Sequence, residues 1–178
     1  MALAALGHGA RSIVDVGTGS GCLAITLASE RPDVHVVAID SSPAALAVAR
    51  RNAERHGVLD RVEFVETDLL AGVPRPVDMI VANPPYVPER DRSSLAPEVR
   101  DHEPAAALFA GPDGLDTIRR LVPAAASLLV SGGLLILEFG FGQADDVTRI
   151  VAATPGLAVR RVHPDLQQIP RVVVAERA

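Results

Sequence analysis

The chain contains no lysine and no tryptophan, a single tyrosine and a single cysteine, and only 3% of its residues are aromatic. Cys22 stands alone, so no internal disulfide forms and a cysteine-based metal site is excluded. The histidines are scattered without ligand spacing, and no metal is expected, His102 included. All basic charge is arginine, and the net charge is −5, which argues against a non-specific nucleic-acid binder needing a basic face. No apolar run is long enough to span a membrane, and Met1 to Leu6 is too short for a signal peptide. A cytoplasmic setting without membrane contact is expected. At 178 residues and 48% apolar, the chain suits one domain with a Val, Leu, Ile and Ala core.

What is present centres on Val77-Asp78-Met79-Ile80-Val81-Ala82-Asn83-Pro84-Pro85-Tyr86. Its first half reads as a buried parallel strand. Pro84 and Pro85 cannot donate to a ladder, and Pro84 biases Asn83 away from helix, so the strand stops there. A primary amide and a phenol are thereby held at the carboxyl end of a buried strand, where open α/β sheets bind ligands.

Earlier in the chain, Ile13, Val14 and Val16 make a first strand, Gly17-Thr18-Gly19-Ser20-Gly21 a loop, and Cys22 to Glu30 an apolar helix. Glycines there let a ligand approach the main chain without meeting a Cβ, although G-x-G-x-G differs from the dinucleotide fingerprint. Val34 to Ile39 is a second strand ending at Asp40, about 20 residues past the glycines, the spacing of a ribose acceptor. Asp40 also suits helix capping; Ser42 with Pro43 at the first helical position offers an alternative cap, for a helix from Pro43 to His56 closed by Gly57. Arg61 to Val65 is strand three. Asp68 at its end is either a turn aspartate or an acceptor for an adenine amino group, with Leu69 packing on the ring.

Pro88, Pro97, Pro104 and Pro112 break the pattern between Val87 and Pro112, around the charged run from Glu98 to Glu103. A loop of this length leaving the Asn83 motif reads as a substrate-side flap. A helix then covers Gly114 to Val130, kinked or divided at Pro123. Gly132-Gly133 turns into strand five, Leu134 to Glu138. A helix covers Gln143 to Ala153, and Leu157 to Val162 pairs antiparallel with Arg171 to Ala175 as a hairpin. Five β-α units closed by a hairpin are expected.

This order resembles the class I S-adenosylmethionine-dependent methyltransferases, and more closely the HemK/PrmC family of protein-(glutamine-N5) methyltransferases acting on peptide chain release factors. The resemblance is carried by Asp15 to Gly21, Asn83-Pro84-Pro85-Tyr86, Glu98-Val99-Arg100 with Glu103-Pro104, Ala110 to Leu115, Leu137-Glu138, and Asp165 with Arg171 to Val174. It implies a Rossmann-like seven-stranded sheet, order 3-2-1-4-5-7-6 with the last strand antiparallel and helices on both faces. The whole chain, 1–178, is then one catalytic domain. Family members usually carry an N-terminal helical domain that helps hold the release factor; this chain starts shortly before its first strand, and that domain is not expected in it. Gln167 and Gln168 stand where members usually have a glycine.

By resemblance, Asp15, Gly17, Thr18, Gly19, Ser20 and Gly21 line the methionine part of S-adenosyl-L-methionine, Asp40 its ribose, and Asp68 with Leu69 its adenine, with Asn83 between cofactor and acceptor. Asn83, Pro84, Pro85 and Tyr86 hold the acceptor amide: the Asn83 side-chain oxygen and the Pro84 carbonyl each accept one N–H, and Tyr86 packs on the amide plane. Two other readings share these motifs. An amino-methyltransferase of nucleic acid uses the same Asn83 chemistry but wants a basic, aromatic-lined groove, so nucleic acid is not the expected substrate. A non-catalytic cofactor-binding module is the other.

Overall fold

A computed structural model describes residues 9–73, 76–98 and 104–178. His102 and the rest of the charged run from residue 99 to 103 lie outside the described residues. The central strands are short apolar runs: β1 (Ser12–Val16), β2 (His35–Asp40), β3 (Val62–Glu66) and β4 (Val77–Ala82). They pair in parallel, β1 lying between β2 and β4. β5 (Leu129–Glu138) adds to β4 in parallel. β7 (Pro170–Arg177) then runs antiparallel to both β5 and β6 (Leu157–Pro164). The resulting order is β3-β2-β1-β4-β5-β7-β6, as the resemblance implied.

Successive strand residues point to opposite faces, and both faces are buried. Val14 and Ile80 belong to one core with Ile118, Leu121, Val147 and Val151. Ile13 and Met79 belong to the other with Ala24, Ile25, Leu27 and Ala28. The second core is covered by α1 (Cys22–Glu30) and also takes in Ala53 of α2 (Pro43–Arg55). Ser42 caps α2, its hydroxyl accepting from the Ala45 N–H at 3.2 Å with Pro43 opening the helix, and Gly57 follows in the left-handed region at φ 66°.

Three expectations change, and at Pro123 the divided-helix alternative is removed. Gly132-Gly133 lies inside β5 and makes no turn: Val77 pairs with Leu129 and Met79 with Leu134, so the glycines fall in a bulge that absorbs the extra residues. Pro123 sits within one continuous helix, α4 (Asp116–Leu128), which follows the short α3 (Ala105–Leu108). No helix joins β3 to β4 among the described residues, so the count of five β-α units falls short, and the two strands are separated in the sheet by β2 and β1. The segment from Val87 to Pro112 is, in its described residues, more than an open loop. It holds a 3-10 helix (Glu89–Ser94), and its ends meet where Val87 bridges Phe109. The closing helix is α5 (Ala144–Ala153), preceded by Gln143 as its cap.

Gln168 takes φ 64°, backbone that glycine adopts without a Cβ penalty, in the stretch where the resemblance implied a glycine. Among the described residues no helix is long and apolar enough to cross a membrane.

Candidate active site

Parallel pairing brings the carboxyl ends of β1, β2, β3, β4 and β5 to one rim, so the glycine loop, Asp40, Asp68, Asn83 and Glu138 are gathered there by topology. The glycine loop is fixed from three sides. The Thr18 N–H donates to the Ile39 carbonyl at 2.9 Å, the Gly19 N–H to the Asp40 carboxylate at 2.9 Å, and the Asn52 amide to the Ser20 carbonyl at 2.9 Å. Gly17, Gly19 and Gly21 all have positive φ. A Cβ on Gly19 would meet nothing within 4 Å, so the space over the loop is open and a larger residue would enter it.

Asp15 lies beneath this loop, 1% exposed, where one carboxylate oxygen accepts from the Thr18 hydroxyl at 2.7 Å and from the Ala24 N–H at 3.1 Å. Its carboxylate braces loop to α1 from inside and does not face the rim. Burial pushes its pKa up to about 6, against the pull of those two donors, and the Asp40 charge adds to the rise. A carboxyl whose folded pKa exceeds its unfolded value binds its proton more tightly when folded. Its ionisation therefore costs stability in full above about pH 6, and the cost is relieved as pH falls toward about 4. Asp15→Asn is expected to be more stable than wild type at pH 8, by on the order of 2 kcal/mol, with the gap closing between pH 6 and pH 4. Urea unfolding of both proteins across that range measures it, and a constant gap would count against an elevated Asp15 pKa.

Asp40 is half-buried, and each of its oxygens already accepts one backbone N–H: Gly19 on one, Ser42 at 2.8 Å on the other. A carboxylate has about four lone-pair sites, so acceptor capacity remains on the open side. Asp68 is exposed and ion-paired with Arg120 of α4, so its carboxylate is engaged by the protein. Leu69 beside it holds φ 52° and packs partly on the core. Strain of this kind in a non-glycine residue costs about 1–3 kcal/mol and is kept where a rim loop is over-determined.

Asn83 is exposed and its side chain makes no hydrogen bond among the described residues, whereas Pro84 is buried and Pro85 and Tyr86 are half-buried. A Cβ on Gly17 would lie 3.9 Å from the Asn83 carbonyl oxygen, so the glycine loop and the Asn83 turn run side by side. An exposed amide with no partner, next to an open glycine loop, is available to a ligand.

Two residues around Tyr86 carry roles that sequence reasoning did not give them. The Tyr86 hydroxyl donates to Glu138 at 3.3 Å, across the rim from β5. Burial raises the Tyr86 pKa, and the Glu138 charge raises it further, so the phenol stays protonated and a donor. Gln143, 7% exposed, donates to the Tyr86 carbonyl at 3.0 Å and to the Asp113 carbonyl at 3.1 Å, and accepts from the Gly140 N–H at 2.8 Å. The signal that finds it is a glutamine at a helix start just after a Gly-Phe-Gly turn, at the end of the next strand. Among the described residues no three His, Cys, Asp or Glu groups converge as a metal site.

The methyltransferase small domain family model matches residues 2–99. The chain is 47% identical over 172 residues to a release factor glutamine methyltransferase of Cereibacter sphaeroides, covering 97% of this chain and 62% of that protein. It is 48% identical over 166 residues to one of Deinococcus radiodurans, covering 93% of this chain and 58% of the relative. The chain thus spans about three-fifths of the length of these relatives. Among solved structures, TrmN from Thermus thermophilus superposes with a TM-score of 0.69 at 26% identity, covering 95% of this chain and 44% of that one.

Proposed function

The chain belongs to the methyltransferase small domain family, and from that premise we propose that it transfers a methyl group from S-adenosyl-L-methionine to the side-chain amide nitrogen of a glutamine in a peptide chain release factor. The observation that carries the reading is the unpartnered Asn83 amide at the end of β4 beside the open glycine loop, in a chain so similar to release factor glutamine methyltransferases. The residues fit the cofactor: an open loop of backbone over Gly19, and spare acceptor capacity on Asp40 for ribose hydroxyls. Asp68 with Leu69 borders the adenine end, and Asp15 serves from below by holding the loop. The setting is the cytoplasm.

When bound, S-adenosyl-L-methionine supplies an electrophilic methyl group. A glutamine amide nitrogen is a poor nucleophile because its lone pair is delocalised into the carbonyl. The Asn83 side-chain oxygen and the Pro84 carbonyl each accept one N–H of that amide, orienting the nitrogen and favouring the positive charge that develops on it. The half-buried Tyr86 ring packs on the amide plane and excludes water. Its hydroxyl donates to Glu138, which fixes the ring's tilt.

Incubating the protein with methyl-labelled donor and, separately, a release factor, RNA and DNA tests this. Label is expected in the release factor and not in either nucleic acid. Label in RNA or DNA alone would favour the nucleic-acid amino-methyltransferase, and label in none a cofactor-binding module.

A further inference from the structure

Three lengths of chain converge behind the Asn83 turn, and one buried side chain ties them together. Tyr86 closes the turn, Asp113 ends the segment that departs from it, and Gly140 belongs to the loop after β5. The Gln143 side chain bonds all three, using both donor positions of its amide nitrogen and its oxygen. The fit around Tyr86 is close: a Cβ on Gly114, which has φ 78°, would lie 2.2 Å from the Tyr86 carbonyl oxygen, and one on Gly140 would lie 3.1 Å from its ring. The segment is also stitched at its base, where the Val87 N–H donates to Leu108 at 2.8 Å, the Ala110 N–H to Val87 at 3.1 Å and the Glu89 N–H to Gly111 at 2.9 Å.

A glutamine buried this deeply is stable only if its polar atoms are paired, and here they are paired with the backbone of the loops that shape the rim. None of its side-chain bonds lies within its own helix. We propose that Gln143 is a positioning residue for methyl transfer: it ties the backbone at Asp113 and the loop after β5 to the Tyr86 carbonyl, and so fixes the Pro84-Pro85-Tyr86 backbone that receives the acceptor amide. This rests on the proposed function for the identity of the acceptor. The coupling itself, between the Gln143 amide and the two ends of the segment, is a property of the apoprotein. Removing the amide frees the Tyr86 and Asp113 carbonyls and lets the turn shift, and a misplacement of about 1 Å near reacting atoms costs on the order of 100-fold in rate.

Two variants separate positioning from bulk stability. Gln143→Leu removes the donors and the acceptor at similar size. Gln143→Glu keeps an acceptor for Gly140 and regains one donor only when its carboxyl is protonated, which burial beside two carbonyl oxygens favours. For Gln143→Leu, kcat on a release factor is expected to fall about 10- to 100-fold, with cofactor affinity by calorimetry unchanged within about two-fold. Hydrogen exchange at the Val87, Glu89 and Ala110 amides of the apoprotein should quicken at least about 10-fold, with β1 and β4 unaffected. In Gln143→Glu both properties, each taken relative to wild type at the same pH, should approach the wild-type values as pH is lowered. Wild-type kcat and exchange in folded Gln143→Leu would overturn the proposal, as would a kcat loss without faster exchange, or failure of both variants to fold. If wild type itself transfers no methyl to release factor, the proposed function fails; the exchange measurements still decide the clamp.

Discussion

Replacing Asn83 with leucine is expected to lower kcat about 100- to 1000-fold, the usual loss for one preorganised polar contact in a water-excluded site. Leucine keeps roughly the volume and removes the acceptor, so one N–H of the bound amide is left without a partner in a dry site. Cofactor affinity should scarcely change, because the glycine loop and Asp40 are fixed by contacts that do not include the Asn83 side chain. The substitution should also be benign to folding, since that side chain is exposed and makes no hydrogen bond among the described residues. Asn83→Asp keeps an acceptor and adds a charge that suits positive charge developing on nitrogen, so it should retain more activity than Asn83→Leu. Steady-state kinetics with both variants, beside calorimetry for the donor, reads the ranking. Leucine equal to wild type, or aspartate below leucine at equal folding stability, would remove the acceptor role.

Asp40→Ala is expected to weaken cofactor binding about 10- to 150-fold, corresponding to about 1.4–3 kcal/mol for a hydrogen-bonded charged group. The effect has two sources here. The ribose loses its acceptor, and the Gly19 N–H loses the carboxylate that holds the loop against β2. Asp40→Asn retains an oxygen for only one of the two backbone donors and should fall between. Calorimetry with S-adenosyl-L-methionine tests this, with NADH as the control; unchanged donor affinity in Asp40→Ala, or binding of NADH, would remove the assignment of this rim.

The strands were legible because each central one is a short apolar run buried on both faces and stopped by a glycine, an aspartate or Pro84. The hairpin was legible from length alone, because Pro164 to Pro170 is too short for a crossover helix. Other features depend on distances no single-chain pattern contains. Gly132-Gly133 looks like a turn locally, but β4 pairs on both sides of it, and tertiary pairing turned it into a bulge. Asp15 sits two residues before the first loop glycine, Gly17, and strand alternation sends its carboxylate inward to Thr18 and Ala24. Asp68 reads equally as a turn aspartate or a rim acceptor, and neither reading contains the Arg120 that α4 brings to it. The glutamine opening a helix after Gly-Phe-Gly marks Gln143 locally, but its partners lie 57 and 30 positions away and no local pattern names them.

In the proposed reaction the methyl group lands on a glutamine side-chain nitrogen held by Asn83 and Pro84. Tandem mass spectrometry of a release factor after incubation with the protein and S-adenosyl-L-methionine tests it most directly. One added methyl is expected on the side-chain nitrogen of a single glutamine, abolished when that glutamine is replaced by alanine. Methyl found on a lysine, an arginine, a carboxylate or a main-chain nitrogen, or unaffected by that replacement, would contradict it.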